Sequence, residues 1–225
     1  MTADPLVLHP ELKRATARLI TTVESLDDDA LAAPSLCPGW TRGHVVSHLA
    51  RNADAYCNLL TWARTGVRTP AYAGPEARDA DIEAGSSRPA AAQLADLIAA
   101  SSRLATAIDA LPAEAWPAII AMPSGTGVPA ARLVWSRICE VELHHVDLDA
   151  GYAPADWPDS FPTRLLHDPA TPRAATLATE DGTVLLTVPS APTVTGPVHL
   201  LAAWLSGRSA GKGLTGDLPS LEAWK

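Results

Sequence analysis

RLVWSRICEVELHHVDLD, residues 132–149, is the stretch on which the reading of this chain turns. Its apolar residues recur with a helical period. With Glu140 at zero, Leu133, His144, Leu148, Val141, Val134 and Ile138 fall at roughly 20°, 40°, 80°, 100°, 120° and 160° around the axis. The apolar arc therefore contains His144 and is bordered by Glu140. Side chains four residues apart stack on one face, so this carboxylate and this imidazole can address one cation. Glu142, at roughly 200°, is expected to face water. An isolated E-x-x-x-H on a helix is more often a stabilising pair than a metal site, so a functional reading needs a third ligand from elsewhere.

Upstream, Leu8, Leu12, Leu19, Val23 and Leu26 mark an amphipathic helix over 8–31, ending near the Asp27-Asp28-Asp29 run or slightly beyond. The turn-rich APSLCPGW delivers Trp40 to a second helix, about Arg42 to Thr65, with Thr41 as its N-cap. Val45, Leu49, Ala53, Tyr56 and Leu60 form the buried face of that helix. His48 stands at the edge of this face and Asn52 one turn beyond, while His44 lies further toward solvent. A lone inward histidine is ordinarily bonded to a carbonyl, but His48 is also the candidate third ligand.

Residues 66–89, GVRTPAYAGPEARDADIEAGSSRP, read as a long connection over the bundle rather than a regular element. Arg78 within it is the residue of interest, although Asp79 and Asp81 offer it ordinary partners. A third helix over 88–111 presents Leu94, Leu97, Ile98, Leu104 and Ile108 as core candidates, and a loop through MPSGTGVP leads to the decisive helix from about Pro129. Four long helices within the first 150 residues predict a bundle with at least one long crossover.

After Gly151 the character changes. YAPADWPDSFP is rich in proline and reads as a linker, and ATLATEDGTVLLTV reads as two short strands around a Glu-Asp-Gly turn. Another strand is expected near 192–195, then a short helix over 198–205 ended by Gly207. The expected organisation is a bundle over 1–150 and a small α/β domain over 151–225. Arg208 follows the last helix, where a cation also complements the helix dipole.

Composition narrows the function classes. The chain has 225 residues, 47% of them hydrophobic, which suits a globular protein with a proper core. A formal net charge of −8 argues against general binding to nucleic acid or an anionic membrane. The N-terminal residues carry charges where a signal peptide needs an apolar run, and no segment approaches membrane-spanning length. Cys37, Cys57 and Cys139 are few and lack CxxC spacing, so a reduced cytoplasm is expected, with each thiol a small buried apolar residue.

His48, Glu140 and His144 together form a His₂Glu set with room for exchangeable ligands, the pattern of a reactive zinc site. No H-E-x-x-H and no repeated Glu-x-x-His occurs, so neither a helical zinc protease nor a di-iron bundle is indicated. Two neutral imidazoles and one carboxylate leave a divalent ion net positive, which favours hydroxide or a thiolate as its further ligand. Asn52 and Asp147 are candidates to support the ligands.

GWTRGHVVSHLARNADAYCNLLTWARTG, ARDADIEAG, R-x-x-E-x-x-x-H-x-V-D-L and AWLSGRS, in that order, closely resemble the mycothiol-dependent maleylpyruvate isomerase family. The resemblance runs from Leu8 to Trp224. It implies a DinB-like four-helix bundle followed by a small C-terminal α/β domain that completes the substrate site. It also implies a divalent metal, usually zinc, on His48, Glu140 and His144, with mycothiol as thiol cofactor. The family's arginines fall on Arg208 and Arg78, which the resemblance makes binders of substrate carboxylates, Arg208 with a catalytic share; Asn52 joins them as a candidate substrate contact.

The implied reaction is cis–trans isomerisation of maleylpyruvate to fumarylpyruvate in the gentisate route of aromatic breakdown. It proceeds by thiolate addition, rotation and elimination, in a cytoplasmic monomer or homodimer. Two alternatives are a mycothiol S-transferase and a metal- or thiol-binding module without turnover. His145 departs from the expected small apolar residue; it is expected to pack in the core, or else to compete for the metal.

Overall fold

In the computed structural model, residues 4–221 are described, and the chain divides into two compact units after Ala150. The first unit is the bundle. Helix α1 (Pro5–Glu24) starts on Asp4, whose side chain accepts from the Leu6 amide, with Pro5 at the first helical position. The acidic run does not continue this helix as the periodicity had suggested. Asp27 instead accepts from the Ala30 amide and caps a separate short helix, α2 (Asp28–Ala32).

Helix α3 (Arg42–Thr65) begins at Thr41, which exchanges hydrogen bonds with His44, and ends at Gly66 in the left-handed conformation. Its expected apolar face is buried throughout. Residues 66–89 are not wholly irregular, for they contain α4 (Pro75–Ser86). This helix buries only Ile82, Gly85 and Ser86, so no apolar period announces it. Two glycines let it lie close against α3. A Cβ on Gly85 would stand 2.1 Å from Ser47 Oγ, and one on Gly43 would stand 2.3 Å from the Ser86 carbonyl. That approach brings Arg78 over α3.

Helix α5 (Ala90–Asp109) packs Leu97, Ala100, Leu104 and Ile108 into the core. Leu94 is only half-buried and Ile98 is 41% exposed, because the buried stripe is narrower than the expected face. The MPSGTGVP loop is the turn of a hairpin, in which β1 (Ile119–Ala121) pairs antiparallel with β2 (Gly127–Pro129). Helix α6 (Arg132–Asp147) then returns between α1 and α3. Helices α1, α3, α5 and α6 form the expected four-helix bundle. Fully buried Leu19, Leu49, Leu59, Leu97 and Leu133 contribute about 1.5–3 kcal/mol each through burial.

One arginine registers the start of α3 against the end of α6. Arg42 donates from Nε to the Leu148 carbonyl at 2.6 Å and from Nη2 to the Asp149 carbonyl at 2.8 Å, satisfying groups that a helix end leaves open. The Leu36 amide donates to the Asp147 carbonyl at 2.8 Å, which binds the preceding loop to the same helix end.

In the second unit, the proline-rich segment expected as a linker runs into α7 (Ser160–Leu166). Strands β3 (Thr176–Ala178), β4 (Val184–Leu186), β5 (Thr193–Thr195) and, after α8 (Val198–Leu205), β6 (Thr215–Gly216) form one sheet in the order β4-β3-β5-β6. The β3–β4 hairpin is antiparallel, β5 joins β3 in parallel, and β6 pairs antiparallel with β5. Leu201–Leu205 of α8 are all buried, and α8 packs on α7. No helix among the described residues is long and apolar enough to cross a membrane.

Candidate metal centre

His48 on α3 faces Glu140 and His144 on α6. His48 Nε2 lies 3.0 Å from Glu140 Oε2, and His144 Nε2 lies 3.5 Å from the same oxygen. One donor atom from each of the three residues falls within 4.8 Å of the others, a cluster a single cation can bridge. The two imidazoles meet edge to face with ring centres 4.7 Å apart, and Trp40 covers His48 at 5.6 Å. His48 is sealed from solvent, whereas the side chains of Glu140 and His144 are 28% and 17% exposed. The cluster is closed on the α3 side and accessible from α6.

Burial lowers the His48 pKa despite the neighbouring carboxylate, with His144 and Arg78 adding to the depression. For Glu140, burial acts upward, but the His48 hydrogen bond and the charges of His48, His144 and Arg137 outweigh it and bring the carboxyl down to about 2. Its exposed fraction lets solvent moderate these charges without changing the direction. The site thus holds an ionised carboxylate beside a neutral imidazole at neutral pH, the protonation states a metal requires.

The surroundings orient this set. Asp147 Oδ2 lies 2.9 Å from His144 Nδ1, which fixes the ring and turns Nε2 toward Glu140. Cys37 brings its sulfur to 4.0 Å from the same nitrogen, and Cys37, His144 and Asp147 form a second group of potential ligands that shares His144. All three cysteines are half-buried rather than buried as expected. Arg78 reaches across from α4, with Nη2 3.4 Å from His48 Nδ1, Nη1 2.7 Å from Asp79 Oδ1 and the guanidinium 6.0 Å from the centre of the Tyr72 ring. Both the ordinary partner and the site are therefore within its reach.

Of the other expectations for these helices, the one for Glu142 is corrected, while those for His44 and His145 hold. Glu142 does not face water: it is 2% exposed and pairs with Arg18 Nη2 of α1 at 2.5 Å. His44 is turned from the cluster and meets Glu83 at 3.0 Å. His145 is 1% exposed and its Nε2 lies 2.7 Å from Thr22 Oγ1, so it packs against α1 and belongs to neither ligand group. Asn52 is buried and its Oδ1 accepts from Arg137 Nη1 at 2.7 Å, which ties α3 to α6.

Arg137 itself escaped the sequence reading. It lies at roughly 60° on the wheel, inside the apolar arc, and a charge at that angle was the signal. Arg208 belongs to the second unit, where it is half-buried just past α8 and donates from Nη1 to the Ser206 carbonyl at 2.7 Å.

Comparison with known proteins gives the cluster a context. Two solved structures superpose on the whole chain, covering 97% of their own lengths at 28% identity. One is a mycothiol-dependent maleylpyruvate isomerase, with a TM-score of 0.87, and the other is a histidine-to-alanine mutant of such an enzyme, at 0.86. No curated protein sequence matches. Residues 12–149 match the mycothiol maleylpyruvate isomerase N-terminal domain, a span that takes in most of the bundle and all three clustered residues. On that match over more than half its length, the chain belongs to the mycothiol maleylpyruvate isomerase family.

Proposed function

We propose that this chain isomerises maleylpyruvate to fumarylpyruvate with mycothiol as its thiol and a divalent metal, zinc by its donor set, on His48, Glu140 and His144. The observation that carries the reading is the convergence of two imidazoles and one carboxylate from α3 and α6 within 4.8 Å, in a member of this family. The residues fit such an ion: three protein donors leave positions open, and the charge balance stays positive. When bound, metal and thiol together supply a thiolate near neutral pH that can add to a cis double bond, allow rotation and depart.

The chain's own groups do the rest. Glu140 stays ionised and His48 stays neutral, so neither needs to lose a proton before binding at neutral pH. Asp147 holds the His144 ring. Were a metal held through Nε2 of His48, the ring proton would sit on Nδ1, which would then no longer accept from Arg78. The Arg78 guanidinium is then available for a substrate carboxylate in place of Asp79. Arg208, placed by its WLSGR motif, is assigned a second substrate carboxylate and the negative charge that develops as the double bond is attacked. Asn52 is assigned to support of Arg137 and α6. We assign the bundle to metal binding and the C-terminal unit to completing the substrate site, and place the reaction in the cytoplasm, in the gentisate route.

The test is to incubate metal-loaded protein with maleylpyruvate, with and without mycothiol, and to follow product geometry. Thiol-dependent appearance of the trans isomer with the thiol recovered is the expected result. A stable thioether would make the chain a transferase, and turnover by metal-free protein would overturn the ligand assignment.

A further inference from the structure

Away from the metal ligands, the bundle contains a second polar feature that the proposed reaction does not use. Between α1 and α5 lies a pocket of about 190 Å³ walled by Leu12, Ile20, Ile98 and Leu104, with Arg137 of α6 entering it. Three polar atoms of its lining are buried and have no hydrogen-bond partner among the described residues: Arg137 Nη2, His9 Nε2 and Ser101 Oγ. Arg137 is 1% exposed and His9 6%. Arg137 Nη1 is taken by Asn52, and no described carboxylate lies within ion-pair distance of the guanidinium, on which Glu140, one turn along α6, acts through its charge. A guanidinium removed from water with Nη2 unpaired is costly, and a carboxylate is a group that satisfies it.

His9 refines the choice of ligand. Its Nδ1 is 3.1 Å from Asp109 Oδ1, so the ring proton belongs on Nδ1, donated to the carboxylate. Burial, with Lys13 alongside, lowers its pKa and favours this neutral form over Asp109's opposing pull. Nε2 is then an acceptor inside the pocket and needs a donor, which a carboxylate cannot supply and a hydroxyl can. The walls are branched aliphatic. The volume is below that of sites for drug-sized ligands and suits roughly ten non-hydrogen atoms.

We propose that this pocket is a binding site for a small aliphatic hydroxy acid, its carboxylate on Arg137, its hydroxyl on His9 and its hydrocarbon among Leu12, Ile20, Ile98 and Leu104. The site is distinct from the His48–Glu140–His144 cluster and does not rest on the proposed isomerase activity.

The probe is 2-hydroxyisocaproate, titrated calorimetrically into the metal-loaded protein. A Kd of about 1 mM or tighter is expected, weakened roughly tenfold or more for the corresponding amide, which loses the charge-assisted bond. Ala105→Phe fills the pocket from α5 without touching Arg137 and should abolish binding while metal content is unchanged. His144→Ala, which should lose the metal, is expected to retain binding. The proposal is overturned if no saturable binding is seen, if Ala105→Phe binds as well as wild type, if binding disappears with the metal in His144→Ala, or if isocaproate without the hydroxyl binds equally well.

Discussion

The two sides of α6 carry the same residue types and do different things with them. Toward α3 stand Glu140 and His144, partly exposed, sharing one oxygen with His48 inside a cluster of metal-ligand dimensions. Toward α1 stand Glu142 and His145, sealed at 2% and 1% exposure, with Arg18 against the carboxylate and Thr22 against the imidazole. A carboxylate closed off with an arginine is a packing device. A carboxylate between two imidazoles and open to one side is suited to holding an ion. What separates them is the convergence of donors and the access left to them, and neither is a property of residue type.

The largest effect that tests this contrast is removal of a cluster residue on the α3 side. Glu140→Ala should lower metal affinity by roughly three orders of magnitude or more, beyond the loss typical of supporting residues, and remove activity with it, while the helical circular dichroism spectrum stays intact. The corresponding change on the α1 side should reverse the pattern. Glu142→Ala leaves Arg18 without its partner and should cost about 2–4 kcal/mol of stability, the lower part of the range for a buried pair because Arg18 is 36% exposed. Its metal stoichiometry should match wild type. If denaturant unfolding finds Glu142→Ala as stable as wild type, or metal analysis finds Glu140→Ala fully loaded, the distinction between the two sides is lost.

A smaller effect sharpens the α3 side. Asp147→Asn retains shape but weakens the partner of His144 Nδ1, and should lower metal affinity by about 10–100-fold without unfolding the bundle. Competition with a chromophoric chelator measures it directly. An unchanged affinity would mean that the His144 ring is held by packing alone.

These contrasts also explain what could be read in advance. The helices carrying the cluster were legible because Val45, Leu49, Tyr56 and Leu60 on α3, and Leu133 and Val141 on α6 with Leu148 at its end, repeat with the helical period and are buried. The same wheel misplaced Glu142 because α6 packs on two sides, and a single apolar arc marks only one of them. Helix α4 went unread for the opposite reason, since its contact with α3 is made through Gly43, Gly85 and Ser47, which carry almost no hydrophobic signal. The β1–β2 hairpin is three residues a side, too short for alternation to register. Of the cluster, His48, Glu140 and His144 could be selected by angle. Cys37 could not, because its place beside His144 depends on a loop held by the Leu36 amide at the end of α6.

The mildest prediction concerns acidity and uses both depressed groups. Glu140, held at about 2, remains ionised throughout mild acid, so proton competition for the metal in that range comes from imidazole. Burial lowers the His48 pKa, and this imidazole therefore stays neutral to a lower pH than an ordinary histidine near 6.5. Protons should therefore compete with a metal for His48 only below the ordinary histidine range.

For the metal-free protein the sign is the same. A folded pKa below the unfolded one means that the unfolded chain takes up more protons, so His48 contributes stability above its unfolded pKa that is lost as pH falls through the folded one. Arg78 is among the charges that depress His48, so in the metal-free protein Arg78→Ala should raise the His48 pKa toward the ordinary histidine value. Histidine resonances followed against pH in the metal-free forms of the two proteins check this. A wild-type His48 midpoint at or above the ordinary histidine value, or one that Arg78→Ala displaces toward acid, would show that solvent reaching the cluster through the exposed edge of Glu140 governs its protonation more than the packing behind His48.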